Sequence, residues 1–426
     1  MVTHGTPPVS TAPPQTSPRP AQLGRQGLGV LSSSGLNAVL GIAFWLLAGR
    51  YASTTAVALA LAAQSWLILL AMGAQLNLGT TLSRFVPVAG AGQRALIGWA
   101  YRVSAAGATV LGVAVLVLHA SGVTIVSGAG PSLVLVLAAS LPLWVAFSMQ
   151  DSVLVACRRS TWLPWENGLA ALLRLVLVLP LAHLAGATGL LLAFVLPAIP
   201  LTAVMSWLIA RRLALGGEPK PVPGRELLGY ALAGFPGSLA TMASLRLVPV
   251  VVLAVRGPRE AAYVGVAWSV VSLSLLTLSA LSRALLTELA TPGADIDHLL
   301  HRVNRMLLRG LLPLCVLGAL AATPVLSMAG PGYAERGGPV LLAGILALVP
   351  AAATEARLAV LRYQGRPGSA TVVQGVRAAV LVLAVLLLAQ ADQLPWLGAA
   401  LLGSVVLAWW VASRYPVGPV AGGSGR

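Results

Sequence analysis

The sequence predicts an all-α integral membrane protein of about twelve transmembrane helices, arranged as two six-helix bundles. Three observations predict it. Near-continuous apolar stretches of about twenty residues, the length that crosses a hydrocarbon core of about 30 Å, recur along the chain. Only 9% of the 426 residues are charged against 58% hydrophobic, with a mean hydropathy of +0.88, a composition no water-soluble surface carries. The longest polar connection near mid-chain, RRLALGGEPKPVPGR (211–225), follows the sixth stretch and leaves six more behind it.

Taken in order, residues 1–26 are rich in Pro, Ser and Thr without an apolar run, and a disordered tail is expected there. The apolar stretch starting near Leu28 is too long for a secretory leader and lacks a cleavage site, so it serves as an anchor. Spans are expected at 28–50, 56–80, 103–120, 131–156, 162–184 and 187–210, forming a first bundle over 27–212. A linker over 213–227 leads to spans at 228–255, 261–282, 307–328, 338–361, 371–390 and 394–413, a second bundle over 228–414. A Gly-rich flexible tail closes the chain over 415–426. Six spans per half would relate the halves by an axis along the membrane normal. A shift of 206 residues lays LLAGR (46–50) over VLAVR (252–256), each ending the first helix of its half. Pro142, Pro180, Pro197, Pro236, Pro249, Pro313 and Pro350 interrupt spans and read as bends, which membrane helices tolerate.

The basic residues orient the chain. Inner loops and tails hold eighteen Lys and Arg, whereas the outer loops hold only Arg50, Arg256, Arg259 and Arg336. Because cytoplasmic loops collect Lys and Arg, a plasma-membrane protein with both termini in the cytoplasm is expected. The net charge of +16 is then mostly a topology signal. Nucleic-acid binding is excluded by the want of a basic soluble module. Cys157 and Cys315 form neither a disulfide framework nor a metal motif. A nucleotide-binding Gly-rich loop, HExxH, a paired-carboxylate motif and an Asp-rich pyrophosphate loop are all missing, so neither an enzyme nor a cofactor is expected. His298 and His301, near Asp295 and Asp297, read as a solvated amphipathic turn.

Polar residues inside spans are the functional candidates, since an arginine at a helix centre costs on the order of 2.5–3.5 kcal/mol on insertion scales. Arg174, Arg246, Arg357 and Arg377 lie within spans, while Arg309 is near enough to an end to snorkel. The acids at comparable depth are Asp151, Glu166 and Glu355. Glu355 and Arg357 are two apart and face different ways, but Glu355 can meet Arg377 on the neighbouring span. Arg174 and Arg246 have no obvious acid at their depth. Either they bond backbone carbonyls or snorkel, or they face a wet cavity and await an anion, for which the guanidinium fork suits phosphate oxygens. Weaker polar stripes are Ser33 with Asn37, Gln64 with Gln75, Ser140 with Ser148 and Asp151, and Ser269 with Ser272, Ser279 and Arg283. Each alone reads as helix–helix glue; together they fit a solvated interior.

Three segments resemble a known family. LNLGTTLSRFVP (76–87) ends the second span with an arginine-aromatic-x-Pro signature containing Arg84. FPGSLATMASLRLVPVVVLAVRGPREAAYVGVAW (235–268) places an arginine before a Leu/Val/Pro run and a Gly-x-x-x-Ala-x-Tyr turn. GPGYAERGGPVLLAGILALVP (330–350) joins a Gly-x-x-Tyr loop to the next span. In this order and spacing, from about Gly27 to Arg414, the chain resembles the polysaccharide-exporter (Wzx-type) flippases of the multidrug/oligosaccharidyl-lipid/polysaccharide (MOP) superfamily. One departure stands out: family members often carry an acid just after the arginine of the seventh span, where this chain has Leu247 and Val248. That removes an ion pair there and leaves Arg246 less neutralised.

The resemblance implies a MATE/MOP-like fold and a transporter that moves a polyprenyl-pyrophosphate-linked oligosaccharide to the outer leaflet, alongside polysaccharide assembly enzymes. A di-anionic pyrophosphate, a polar glycan and a lipid tail call for a cationic cavity open to the bilayer between rocking bundles. On this reading Arg246 and Arg174 contact the pyrophosphate, with Arg377 a third cation. Asn37, Gln64 and Ser272 contact sugar or water, and Asp151, Glu355 and Arg84 are gating or coupling candidates. Three alternatives are open. One is a cation-coupled small-molecule exporter of the same fold, which would want an acid in the cavity. The others are a membrane-embedded glycosyl- or phosphotransferase, and a scaffold for glycan assembly.

Overall fold

The computed structural model describes residues 20–212, 224–289, 296–364 and 366–415, and all regular structure among them is helical. The helices are α1 (Pro20–Tyr51), α2 (Thr54–Gln75), α3 (Leu78–Phe85), α4 (Gln93–Ala120), α5 (Pro131–Ala156), α6 (Leu163–Val195), α7 (Ala198–Arg212) and α8 (Gly224–Arg256). They continue as α9 (Pro258–Leu289), α10 (Ile296–Met306), α11 (Leu312–Ser327), α12 (Tyr333–Leu346), α13 (Leu348–Tyr363), α14 (Pro367–Gln390) and α15 (Leu397–Ser413). Residues 1–19 and 416–426 of the expected tails, and 213–223 of the expected linker, lie outside the described residues.

Nine described helical runs have the length and composition to cross a membrane, and ten if α12 and α13, bent by 41°, form one broken span. Two more traverses are hidden in that count. The run Ser160–Arg211 holds 52 residues, about 78 Å of helix at 1.5 Å per residue, far more than one crossing needs. It reverses at Ala185–Gly186, where Gly186 takes φ +52, a conformation open to a residue without Cβ. Arg174 Nε then donates to the carbonyl of Phe194, twenty residues on, at 3.0 Å, so the two arms run back alongside each other. The other is α1, whose apolar part Gly35–Tyr51 falls short of the length test although the helix runs on for 32 residues. Counting both arms of that run and α1, the described residues provide up to twelve traverses.

Two boundaries differ from the sequence expectation. Helix α1 begins at Pro20, inside the stretch expected to be disordered; proline's fixed φ and missing N–H suit a first helical turn. The expected span 56–80 is broken. Leu76 and Asn77 both take left-handed φ, +48 and +62, ending α2 at Gln75 and turning α3 off it. The start of α2 is capped by Ser53 Oγ, which accepts from Ala56 N at 3.2 Å, satisfying one of the free donors of a first turn.

Helix α2 is the centre of the molecule. It buries Ala56, Ala58, Ala60, Ala62, Ala63, Ala71 and Ala74, and such small side chains let neighbouring backbones close in. It packs on α4, α5 and α6 of its own half and on α8 and α9 of the other, while α1 lies against α6 and α9. In the second half α8 runs along α14, and α9 packs on α12 and α13. Outward stripes such as Val110, Val113 and Val117 on α4, and Leu314, Leu317 and Leu320 on α11, are exposed at helical spacing, as lipid-facing surfaces require.

The halves touch at both ends. At the end rich in arginine (the basic face), the Arg84 guanidinium lies 4.5 Å from the ring centroid of Tyr230 on α8, and Phe85 meets Tyr230 edge-on at 5.8 Å. Asn77 Nδ2 donates to Ala231 O at 3.4 Å nearby. At the opposite face Gly49 of α1 abuts the α11–α12 turn so closely that a Cβ there would sit 2.9 Å from Ala329 Cβ and 3.2 Å from the Tyr333 ring. Gly265 of α9 receives Leu61 of α2 in the same way, at 2.7 Å.

Candidate functional site

The intramembrane arginines have different surroundings. Arg174, midway along the first arm of the α6 hairpin, is buried in an aromatic box. Its guanidinium carbon lies 4.4 Å from the ring centroid of Phe194, 5.5 Å from Trp144 and 5.9 Å from Phe147. Trp144 and Phe147 are three apart on one face of α5, and the hairpin brings Phe194 back to them. Ring faces attract a desolvated cation, and the Nε bond to Phe194 O adds a carbonyl. Arg377 of α14 is buried against Glu355 of α13, with Nη1 and Oε1 3.7 Å apart: the cross-helix pairing that the sequence allowed. Arg357 lies 5.9 Å from the ring centroid of Trp409.

Arg246 is the exception. It is half-buried on α8, and its Nε is shut from solvent without a hydrogen-bond partner among the described residues. The local backbone explains its position. Pro249 has no N–H, so the carbonyl of Leu245 loses its helical donor. Trp268 of α9, fully buried, supplies a replacement: its Nε1 donates to Leu245 O at 2.7 Å. Arg246 therefore follows directly on a carbonyl that Pro249 leaves without its helical donor and that the neighbouring helix serves instead. Helices α6 and α8 make no extended contact, so Arg174 and Arg246 stand on helices that do not pack along each other.

The remaining candidates are spread over both halves. Asn37 on α1 is half-buried and Gln64 on α2 buried. Ser272 of α9 is buried and donates to Ser269 O at 3.1 Å, while Ser269 donates to Gly265 O at 2.8 Å. Gln75 Nε2 donates to Ser148 Oγ at 2.6 Å, joining α2 to α5. Gln75, Ser148, Ser269 and Ser272 are thus engaged inside the protein; the side chains of Ser279 and Arg283 lie outside the described residues. Asp151 accepts from Asn167 Nδ2 at 3.2 Å, and Arg84 is exposed at the bundle contact described above.

Sequence reasoning placed Glu166 at membrane depth without giving it a role. In the structure it is 2% exposed, and both carboxyl oxygens are buried without a hydrogen-bond partner. Only the packing of α1 and α5 on α6 reveals that isolation. The neighbouring Asn167 carried a usable signal, an amide beside an acid in an apolar stretch.

No family model and no curated protein matches the chain. Solved structures do. A lipid II flippase, MurJ, in an inward closed conformation superposes with a TM-score of 0.70 at 12% identity, covering 90% of this chain and 86% of its own. The chain has the fold of MOP-superfamily transporters. An inward-facing multidrug-resistance MATE transporter of that superfamily matches with a TM-score of 0.65 at 13% identity, over 89% of this chain and 94% of its own. A MOP-superfamily transporter from Pyrococcus furiosus, whose binding pocket of reverse polarity is described as suggesting a different function, matches with a TM-score of 0.59 at 15% identity, over 92% of this chain and 93% of its own. These neighbours are transporters and flippases, and at these identities the likeness speaks for the fold alone.

Proposed function

We propose that the chain is a flippase that carries a polyprenyl-pyrophosphate-linked oligosaccharide from the cytoplasmic to the outer leaflet of the plasma membrane for polysaccharide biosynthesis. The two bundles, 27–212 and 228–414, rock against each other, with the basic face and both termini in the cytoplasm. The observation that carries this reading is Arg246: a guanidinium beside the braced Leu245 carbonyl, its Nε buried and without a hydrogen-bond partner among the described residues. An unmade hydrogen bond to a charged donor is costly, and a phosphate oxygen would complete it. The fold shared with a protein named as a lipid II flippase supports the same class of cargo.

Arg246 leads in pyrophosphate binding. Arg174 contributes through the N–H groups its Phe194 bond leaves over, and Arg377 is a third cation that exchanges Glu355 for phosphate. Asn37, Gln64 and Ser272 meet sugar or water as the bundles part. Arg84 stacked on Tyr230 forms the cytoplasmic gate, with Asp151 and Glu355 as coupling groups. Deleting the gene and measuring which leaflet holds the polyprenyl-linked oligosaccharides tests this. Accumulation in the cytoplasmic leaflet with loss of surface polymer is expected; an unchanged distribution, with no redundant transporter, refutes it.

The cation-coupled small-molecule exporter is the second reading, favoured by the MATE neighbours and by two acids, Asp151 and Glu166, within the first half. It predicts cation-dependent efflux that tolerates Arg246→Ala.

A further inference from the structure

Arg357 is an intramembrane arginine that the proposed cargo path leaves unused. Its helix, α13, makes no extended contact with the first half among the described residues. Arg357 stands there between two apolar seams. On one side Ala356 and Val360 cluster with Val303 of α10 and with Leu307, which opens the π-helical turn Leu307–Leu311 between α10 and α11. On the other, Leu358 and Leu361 cluster with Ala408 and Ala412 of α15. At about 100° per residue, the half-buried Arg357 points between the seams, into the gap between α15 and the root of α11. One wall of the gap is Trp409, exposed, with its ring centroid 5.9 Å from the guanidinium carbon. Leu308 and Leu312 on one side and Val406 on the other are exposed as well, so the gap opens to lipid.

Depth decides what this gap can hold. Trp409 lies four residues before the end of α15 at Ser413, about 6 Å of helix, and a headgroup layer is about 5–8 Å thick. The guanidinium beside it is therefore level with the phosphodiesters of the leaflet on the basic face. An indole suits that border, and its ring attracts the cation without neutralising it. The walls supply no acid in sequence: the π-helical turn, α11 and α15 carry none, and Glu355, the one acid of α13, pairs with Arg377. Exposed Arg305 and Arg309 make the surroundings more positive still. A guanidinium meets phosphate oxygens with paired N–H donors, whereas an ethanolamine or choline headgroup would bring an ammonium into a cationic site. We propose that the gap between α15 and the root of α11 binds one anionic glycerophospholipid, with its phosphate at Arg357 beside Trp409 and its acyl chains along Leu308, Leu312 and Val406. The site lies on the lipid-facing flank of the second half and is independent of the cargo.

The test uses the full chain in a detergent that keeps lipids bound, with native mass spectrometry reading uptake of phosphatidylglycerol or phosphatidylethanolamine of the same acyl chains. The parent should take up one phosphatidylglycerol ahead of any further lipid, and in preference to phosphatidylethanolamine. An arginine beside an anionic headgroup is worth roughly fivefold in affinity, so Arg357→Gln should lose about that factor of the preference, and Arg357→Lys less. Arg309→Gln is the charge-matched control. It sits two residues beyond Leu307, hence turned away from α13, and should keep the preference. If Arg357→Gln does not fold, Trp409→Leu at its exposed position must weaken the first phosphatidylglycerol. A phosphatidylglycerol with a photoreactive acyl chain should label α15 and the Leu307–Leu311 turn in the parent and not in Arg357→Gln. Equal uptake of the two lipids by the parent overturns the proposal. So does a preference unchanged in Arg357→Gln or Trp409→Leu, an equal loss in Arg309→Gln, or labelling elsewhere. Displacement of phosphatidylglycerol by an equimolar polyprenyl pyrophosphate overturns it too, in favour of a docking site for cargo.

Discussion

The turn of α8 that carries Arg246 and Pro249 can be tested as a closed hydrogen-bond account. Trp268→Phe removes the indole N–H that serves the Leu245 carbonyl at 2.7 Å, in a place where both residues are buried and no water can substitute. Hydrogen bonds inside membrane proteins range from about 0.6 kcal/mol on average to about 2 kcal/mol. A buried orphan acceptor costs about 1–3 kcal/mol. We therefore expect Trp268→Phe to lose about 1–2 kcal/mol through the carbonyl, plus a packing term for the smaller ring. Pro249→Ala restores the backbone N–H that the helix would normally aim at Leu245 O. In that background the carbonyl share of the Trp268→Phe loss should vanish, leaving only the packing term. A double-mutant cycle, by denaturant unfolding in bicelles, should thus give a coupling of about 1–2 kcal/mol. Additive losses, with a coupling under about 0.5 kcal/mol, would refute the idea that Trp268 compensates the proline.

Three further outcomes follow from the same contacts. Replacing Glu355 by Gln strands the Arg377 charge at a buried site and should cost about 3–5 kcal/mol, while a Glu355→Gln/Arg377→Met pair should cost far less; equal losses would argue against the pairing. Arg174→Met, close in length and without charge, should leave unfolding stability within about 1 kcal/mol of the parent yet reduce cargo translocation, and unaffected translocation would make Arg174 purely structural. Gly49→Val puts side-chain atoms where a Cβ already meets Ala329 at 2.9 Å. It should prise the halves apart at the face opposite Arg84, raising thiol-reagent access to a cysteine at Gly41; unchanged access would show that the α11–α12 turn yields instead.

The transmembrane plan was readable because hydrocarbon imposes its length on each apolar stretch, and the reversal between 184 and 187 needed only a glycine at the right place. The break at Leu76–Asn77 was only half readable: Asn tolerates the left-handed conformation that ends helices, but Leu76 carries no such signal, and Asn77 meets Ala231 across the bundle contact. Arg377 with Glu355 followed from depth alone. The environment of Arg174 did not: its box needs Phe194 to return along a hairpin. The hydroxyl stripes on α9 looked like a wetted face because sequence cannot tell a hydroxyl aimed at a cavity from one bonded to its own helix, as Ser269 and Ser272 are. Glu166 marks the opposite limit, since what makes it unusual is what the helices packed on α6 fail to offer it.

The most direct measurement is translocation of a fluorescent polyprenyl-pyrophosphate oligosaccharide in liposomes holding the purified protein, scored by the fraction open to an added reducing agent. The account predicts rapid exchange between leaflets with the parent chain and loss of it with Arg246→Ala, in protein whose unfolding is unchanged. Exchange that persists in Arg246→Ala, or none with the parent chain, would contradict it.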